Sequence, residues 1–484
     1  MQKPIKIMRW TLTRRLIVAT VCLQSSHYAV AQAQPNAVIS ADDRPNIVII
    51  MTDDAGYADM GFSRITEPKV AFQTPNIDAF ANSGLAFLQA YTTASVCSPS
   101  RAGMLTGRYQ QRFGHEFNLP TTPEPGDSEE FNGLNVNEKT MADHLRAAGY
   151  KTGLIGKWHL GLAEQFHPNK RGFDEFYGIL GGGRSYWDKP DKTDSLYTQV
   201  FRNNTPEEFN GYFTDKIGQE ANQFIESNQQ DPFFLFISYT AVHAPMHSRN
   251  NAQFKHMPEQ KKNRHILKDM TQALDDSVGS VMEKLSSLRL RDNTLVFFLN
   301  DNGGPTDANH SDNRPYSGIK GTLYEGGIRV PFALSWPKII ANNRRYEHMV
   351  SSLDILPTAL AAAKVDGVGK LKLDGKNLLP YLVQHTNEKP HSTLFWRRSA
   401  FAAVRDEQYK LVRFPDRPAV LYDVDSDPSE SINLAEKKPA KVRALLTKLF
   451  AWETELQAPL FLTHSKWIKQ NRQRYSKYTL VDQQ

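Results

Sequence analysis

Cysteine is almost absent from this chain: its 484 residues include two, Cys22 and Cys97. Long apolar runs are absent too. Nothing approaches the roughly 20 residues that a membrane-crossing helix needs. Nor does one sign of charge dominate, with 58 Lys and Arg against 52 Asp and Glu. Five of the basic side chains, Lys3, Lys6, Arg9, Arg14 and Arg15, crowd the very start. Beyond them the chain is close to neutral, so nothing global points to nucleic acid. No internal repeat is present. What remains, at 40% hydrophobic residues and a mean hydropathy of −0.51, is the composition of a soluble globular protein. Its length allows one large domain and a smaller one.

The basic start continues into an apolar run, Leu16 to Leu23, and then two small-x-small sites, Ala29-Val30-Ala31 and Ala31-Gln32-Ala33. This pattern predicts a secretory signal peptide over residues 1–33, and hence export to the periplasm or beyond. Cys22 lies in the apolar run, but Ala19-Thr20-Val21 before it is a poor match for a lipoprotein box. The exported chain then keeps a single cysteine, Cys97, and cannot form an internal disulfide. Such a residue is either an accident of packing or a reactive group.

Four segments share one grammar, an apolar run of strand length followed by a burst of polar groups. Ile47 to Met51 leads to Thr52-Asp53-Asp54. Gly153 to Gly156 leads to Lys157-Trp158-His159. Phe233 to Ile237 leads to Tyr239 through His243, and Leu295 to Leu299 to Asn300-Asp301-Asn302. Near-continuous apolar runs predict strands buried on both faces, as in a parallel sheet. Amphipathic stretches at 138–148 and 268–288 predict crossover helices. The fold expected is therefore α/β, a large central mostly parallel sheet flanked by helices, spanning residues 44–385. In such sheets ligands bind beyond the carboxyl ends of the strands, where all four polar bursts fall. After about residue 385 come short, closely spaced strand candidates at 393–396, 401–404, 409–412 and 420–422, then a helix at 438–456. These predict a smaller C-terminal α+β domain on an antiparallel sheet, 386–460. Residues 119–136 read as a surface loop, and 461–484 as a basic tail or clasp.

The polar bursts carry distinct chemistry. Asp53-Asp54 and Asp301-Asn302 end two of the strands. Adjacent carboxylates repel unless a cation lies between them, and four hard oxygen donors suit Ca2+ or Mg2+ rather than zinc. Helix caps and turns are the ordinary use of either pair alone. In Cys97 to Arg108, CSPSRAGMLTGR, a turn at Pro99 predicts a short helix from near Ser100. That puts Cys97 at a helix N-terminus, where free N–H groups favour an anion. Arg101 and Arg108 add positive charge. A lone cysteine is usually a buried core residue, but here its flanks are polar and turn-forming. Lys157 and His159 sit at i, i+2 after a strand, on one side. His243 precedes Pro245, and Lys320 lies in a glycine-rich loop. Taken singly these are ordinary solvated residues; together they supply cations for a tetrahedral anion and groups for acid–base work.

These residues resemble a known family. Cys97 to Arg108 looks like the signature of type I sulfatases, within the alkaline phosphatase superfamily, and the chain is similar to bacterial polysaccharide sulfatases. The likeness continues through GKWHLG at 156–161, RGFDEFYG at 171–178, Val242-His243-Ala244-Pro245, Asp301 to Gly304 and GTLYEGGIRVP at 321–331, over roughly 44–455. The resemblance implies an alkaline-phosphatase-like fold and a sulfuric ester hydrolase. It implies that a formylglycine-generating maturation enzyme converts Cys97 to 3-oxoalanine. It implies one Ca2+ held by Asp53, Asp54, Asp301 and Asn302, with modified Cys97 as a further ligand. The hydrated aldehyde would attack sulfur. Arg101, Lys157 and Lys320 would hold the sulfate oxygens, His243 would protonate the departing alcohol, and His159 would take a proton from the second hydroxyl so that sulfate is expelled.

Two other readings are open, a phosphonate or phosphate ester hydrolase of the same superfamily and a non-catalytic carbohydrate-binding protein on this scaffold. The substrate expected is a sulfated polysaccharide or oligosaccharide, such as the galactan carrageenan. Tyr186 and Trp187 are candidates to stack on a sugar ring, Arg184 to meet a second anionic group, and His115, Glu116 and Asn118 to bind hydroxyls. Trp396 and Arg397 are candidates to close the pocket from the second domain. Ordinary loop packing accounts for each of these equally well.

Overall fold

Branched and aromatic residues dominate the apolar runs, and such side chains fit a sheet covered on both faces. In the computed structural model they form β1 (Asn46–Thr52), β2 (Lys151–Lys157), β3 (Glu175–Ile179), β4 (Phe233–Ser238) and β5 (Thr294–Asn300). The residues described are 44–63, 72–119, 132–187, 195–250, 259–383, 388–461 and 465–479. The expected signal peptide and most of the 119–136 loop lie outside them. The described residues form one compact unit. No helix of the described residues is long and apolar enough to cross a membrane.

These five strands run parallel in the order β5-β1-β4-β2-β3, the middle of a ten-stranded sheet. Antiparallel strands extend it, Phe332–Ser335 beside β5 and Val200–Arg202 beside β3. The register sets up the site. Thr52 lies opposite Asn300, Met51 opposite Ser238, and Gly156 opposite Ser238. The apolar runs therefore end level, and the polar groups after them emerge along one edge.

Several helix boundaries differ from expectation for visible reasons. The helix expected at 138–148 is Met141–Ala147, α2, because Thr140 and Asp143 cap it reciprocally. The helix expected from Ser100 starts three residues earlier, as α1 (Cys97–Thr106), with Pro99 inside its first turn, where a missing N–H costs nothing. Gly107, in the left-handed conformation at φ 62°, ends it. α3 (Phe213–Ser227) and the long α4 (Glu259–Ser287) cover one face of the sheet.

The C-terminal meander is β6 (Thr393–Arg398), β7 (Phe401–Asp406), β8 (Tyr409–Arg413) and β9 (Val420–Asp423), antiparallel in that order. Alternate residues point to opposite faces. Leu394, Trp396, Ala403, Val412 and Tyr422 pack with Tyr91 and Tyr324, which come from earlier in the chain. Ala402, Val404, Leu411 and Leu421 pack under Leu445, Leu449 and Trp452 of α5 (Pro439–Glu453). The last described element, α6 (Ser465–Thr479), adds Tyr475 to the first of these cores.

Candidate active site

The level strand ends deliver acidic residues to one place. Asp53 and Asp54 follow β1, and Asp301 and Asn302 follow β5. Asp54 takes a left-handed backbone, φ 63°, which Asp tolerates better than most residues. Cys97, the first residue of α1, arrives from outside the sheet. One ligand atom each from Asp53, Asp54, Cys97 and Asp301 lies within 4.8 Å of all the others. All four side chains are buried.

Three cations interleave with them. Lys157 Nζ is 2.6 Å from Asp53 Oδ2. Lys320 Nζ is 2.7 Å from Asp54 Oδ1 and 3.1 Å from Cys97 Sγ. Arg101 Nη2 is 3.0 Å from Asp301 Oδ2. Two oxygens find no donor: Asp301 Oδ1 and Asn302 Oδ1 are buried and unpartnered. A buried polar atom without a partner is costly, and a set of hard oxygens of this kind fits a Ca2+ or Mg2+ ion.

Burial and neighbouring charge set the protonation states. Burial, reinforced by the charge of Asp53, pushes Asp301 up to about 6. Burial also opposes ionisation of Asp54, but Lys320 and His243 outweigh it and hold that carboxyl at about 2. Burial, then the carboxylates of Asp301 and Asp53, push the Cys97 thiol far above its ordinary value. The ammonium groups of Lys157 and Lys320 are held above theirs, because Asp53 and Asp54 overcome the cost of burial.

The two histidines flank this cluster. His243 Nε2 is 3.6 Å from Asp54 Oδ2, and Nδ1 lies 2.5 Å from the carbonyl oxygen of Ala244. That carbonyl only accepts, so Nδ1 carries the hydrogen. Burial and the cations Lys320 and Lys157, against the pull of Asp54, lower His243 to about 4. His159 has both ring nitrogens buried without a partner. Burial, then Lys157 and Arg101, hold it well below the ordinary histidine range, as a neutral base.

Some expected residues sit elsewhere. Arg108 turns away and pairs with Glu138 at 2.6 Å. Tyr186 is 1% exposed and already stacked on Tyr212, so it offers no face to a sugar. Its hydroxyl donates to the carbonyls of Thr240, at 2.6 Å, and His243, at 2.9 Å. Trp187 meets Tyr212 edge-on and donates to Ser248 O. Arg184 is buried, its guanidinium over the rings of Phe209 and Phe213 and its Nε donating to Ser185 O at 3.0 Å. Trp396 is 1% exposed and donates to Thr92 O. Glu116 and Arg397 pair with each other. His115 lies 2.7 Å from Ser98 Oγ, and Asn118 Oδ1 accepts from the Ser98 N–H at 3.0 Å. These last two fix the start of α1.

Other residues join the site without a signal of their own in the sequence. Ser238 donates to Lys157 O at 2.6 Å and accepts from Arg101. Asn300 bridges the ends of β5 and β1 through Thr52 and Ala55. Asn309 donates to Asp54 O at 2.9 Å. Each closes an apolar run or sits in a turn, where Ser and Asn are commonplace.

A mostly parallel sheet, a site beyond its strand ends, and a thiol set among carboxylates and cations define a hydrolase of alkaline-phosphatase-like fold. The comparisons with known proteins go further. Residues 45–365 match the family described as Sulfatase, and residues 319–454 match N-sulphoglucosamine sulphohydrolase, C-terminal. N-acetylgalactosamine-6-sulfatase of Rattus norvegicus is 33% identical over 388 residues, 76% of this chain and 71% of that one. Arylsulfatase G of Mus musculus is 33% identical over 400 residues, 74% of this chain and 72% of that one. The crystal structure of Ps i-CgsB in complex with k-i-k-neocarrahexaose is 33% identical with a TM-score of 0.79, covering 90% of this chain and 99% of that one. The chain belongs to the sulfatase family and is a sulfatase. The phosphoester and non-catalytic readings are not favoured.

Proposed function

We propose that this sulfatase removes sulfate from a sulfated carbohydrate, a polysaccharide or oligosaccharide such as a carrageenan-type galactan, using Cys97 oxidised to formylglycine. The carbohydrate class rests on the relatives, one named for N-acetylgalactosamine-6-sulfate chemistry and one solved with a neocarrahexaose. The reaction rests on one observation, the place of Cys97. Its Sγ lies 3.1 Å from Lys320 Nζ and 3.5 Å from Asp53 Oδ1, at the N-terminus of α1. A thiol held neutral there is a poor nucleophile at neutral pH. The hydrated aldehyde would supply hydroxyl groups in its stead, one to attack sulfur and one to release sulfate by losing its proton.

Asp53, Asp54, Asp301 and Asn302 would hold Ca2+, which lowers the pKa of a hydroxyl and stabilises developing charge. Arg101, Lys157 and Lys320 bind the sulfate oxygens, replacing part of their present pairing with carboxylates. His243 stands at the more open side. An anionic ester beside it raises its proton affinity, so that Nε2 carries a proton toward the departing alcohol. His159, neutral and with both nitrogens free of partners, takes the proton whose removal expels sulfate. Residues 1–33 direct export, and a maturation enzyme reading Cys97-Ser98-Pro99-Ser100-Arg101 oxidises the cysteine.

The test is sulfate release, followed by ion chromatography, from carrageenan, ulvan, fucan and glycosaminoglycan oligosaccharides, with the state of Cys97 read by mass. Release from one class establishes reaction and substrate together. No release from any of them by protein with converted Cys97 removes the carbohydrate reading.

A further inference from the structure

α6 has an unusual charge composition and an unusual position. Between Ser465 and Thr479 it carries Lys466, Lys469, Arg472, Arg474 and Lys477 and no acidic residue, in a chain otherwise near neutrality. At about 3.6 residues per turn, Asn471, Arg474, Tyr475 and Tyr478 share one arc, and Lys469, Arg472 and Lys477 lie on the opposite one. The inner arc is docked. Arg474 donates to Lys320 O at 2.8 Å and clamps Asp307 with two further bonds. The Tyr475 ring stacks on Phe401 at 4.2 Å. The helix therefore lies against the loop whose lysine touches Cys97.

The outer arc is exposed. Lys469, Arg472 and Lys477 make no ion pair with a carboxylate among the described residues. Asp416, which feels the charge of Arg472, is already held by Arg417 at 2.9 Å. Inward of the helix, Arg398 is 8% exposed. It donates to Gly321 O, and its Nε has no acceptor. Among the described residues, positive charge around the Lys320 loop thus exceeds what carboxylates neutralise. Such an excess on one side of a catalytic site attracts and orients a polyanion.

We propose that α6 is a polyanion-binding strap, its outer cations Lys469, Arg472 and Lys477 engaging further sulfate groups along a polymeric substrate whose reacting sulfate sits beside Lys320. From Lys469 to Lys477 the helix rises about 12 Å, so the three cations meet a repeating anion and not one isolated group. The proposal rests on the carbohydrate-sulfate reading above.

The test compares the full-length, matured enzyme with the triple variant Lys469→Ser, Arg472→Ser, Lys477→Ser on two substrates, at NaCl from about 50 to 300 mM. One is the sulfated polysaccharide that the panel identifies; the other is a small aryl sulfate, too short to reach the helix. The variant is expected to raise KM for the polymer about tenfold, to flatten its salt dependence, and to leave kcat and aryl sulfate kinetics within about twofold. An unchanged polymer KM and salt slope overturns the strap. Failure of the wild-type enzyme to act on any sulfated polysaccharide, while it still cleaves the aryl ester, overturns the carbohydrate reading and the strap with it.

Discussion

Cys97 and Tyr186 represent two kinds of residue in this site, one that reacts and one that holds. Cys97→Ala removes the reacting atoms and little else from a buried, well-supported position. Turnover should fall at least about a thousandfold while calorimetry still detects substrate binding; ordinary turnover by this variant would exclude Cys97 as nucleophile. Tyr186 is a positioning residue whose hydroxyl ties together the carbonyls of Thr240 and His243. Tyr186→Phe keeps the stack on Tyr212 and leaves those carbonyls short of a donor, at a cost of about 1–2 kcal/mol. We expect kcat to drop several-fold with KM little changed, because the His243 loop loosens while the sulfate-holding cations stay put. Equal kcat for the two proteins would show that the loop is held without it. Sequence could identify Tyr186, Trp187 and Trp396 as aromatic residues near the site. It could not say whether each ring meets a sugar or another ring, since both uses ask for the same side chain. Cys97, Asp53 and Lys320 each have an ordinary structural use when taken singly, so they stood out in the sequence only in combination, and the fold brings them together.

Helices and strands were legible where period and composition agreed, and less so where a contact distant in sequence sets a boundary. α1 begins at Cys97 because Asn118 and His115 secure Ser98, residues a helix later in the chain. The meander was plain from its spacing, whereas α6 read as either a tail or a clasp. Its docking on the Lys320 loop depends on Arg474, whose guanidinium joins Lys320 O to Asp307. Arg474→Ala should free that loop and let the ammonium of Lys320 wander from Cys97. A fall in kcat of about tenfold is expected, partly restored by Arg474→Lys, which keeps one donor but not the fork. A melting temperature within a few degrees of wild type would separate this from unfolding. Full activity in Arg474→Ala would mean that the loop is held by its own turns.

Two clusters of buried charge among the described residues each join segments far apart in sequence. Behind the site, Lys410 of β8 lies 2.9 Å from both Glu325 and Glu430. Burial, with Glu325 as a like charge, raises Glu430 from its ordinary 4.5 to about 7, against the pull of Lys410. Between those values the folded protein holds a proton that the unfolded chain has lost, so this group's contribution to stability declines as pH rises. Glu430→Gln should therefore gain in melting temperature relative to wild type between pH 5 and 7; a constant difference would show that Glu430 is not protonated in the fold. The other place is the active site, where Asp53, Asp54 and Asp301 converge from strands more than two hundred residues apart. The apolar runs announced those strands, but the register that brings their ends level is a property of the assembled sheet. An ion held there binds the native state and has no equivalent site in the unfolded chain. At a hundred times its dissociation constant, Ca2+ would add about 2.7 kcal/mol. Thermal melting in EDTA, then with Ca2+ restored, should show a loss of several degrees and its recovery. Asp301→Asn, which keeps the shape but weakens the charge, should shrink the response. If melting ignores both chelator and ion, the carboxylates are balanced by Arg101, Lys157 and Lys320 alone, and the ion has no place in the fold.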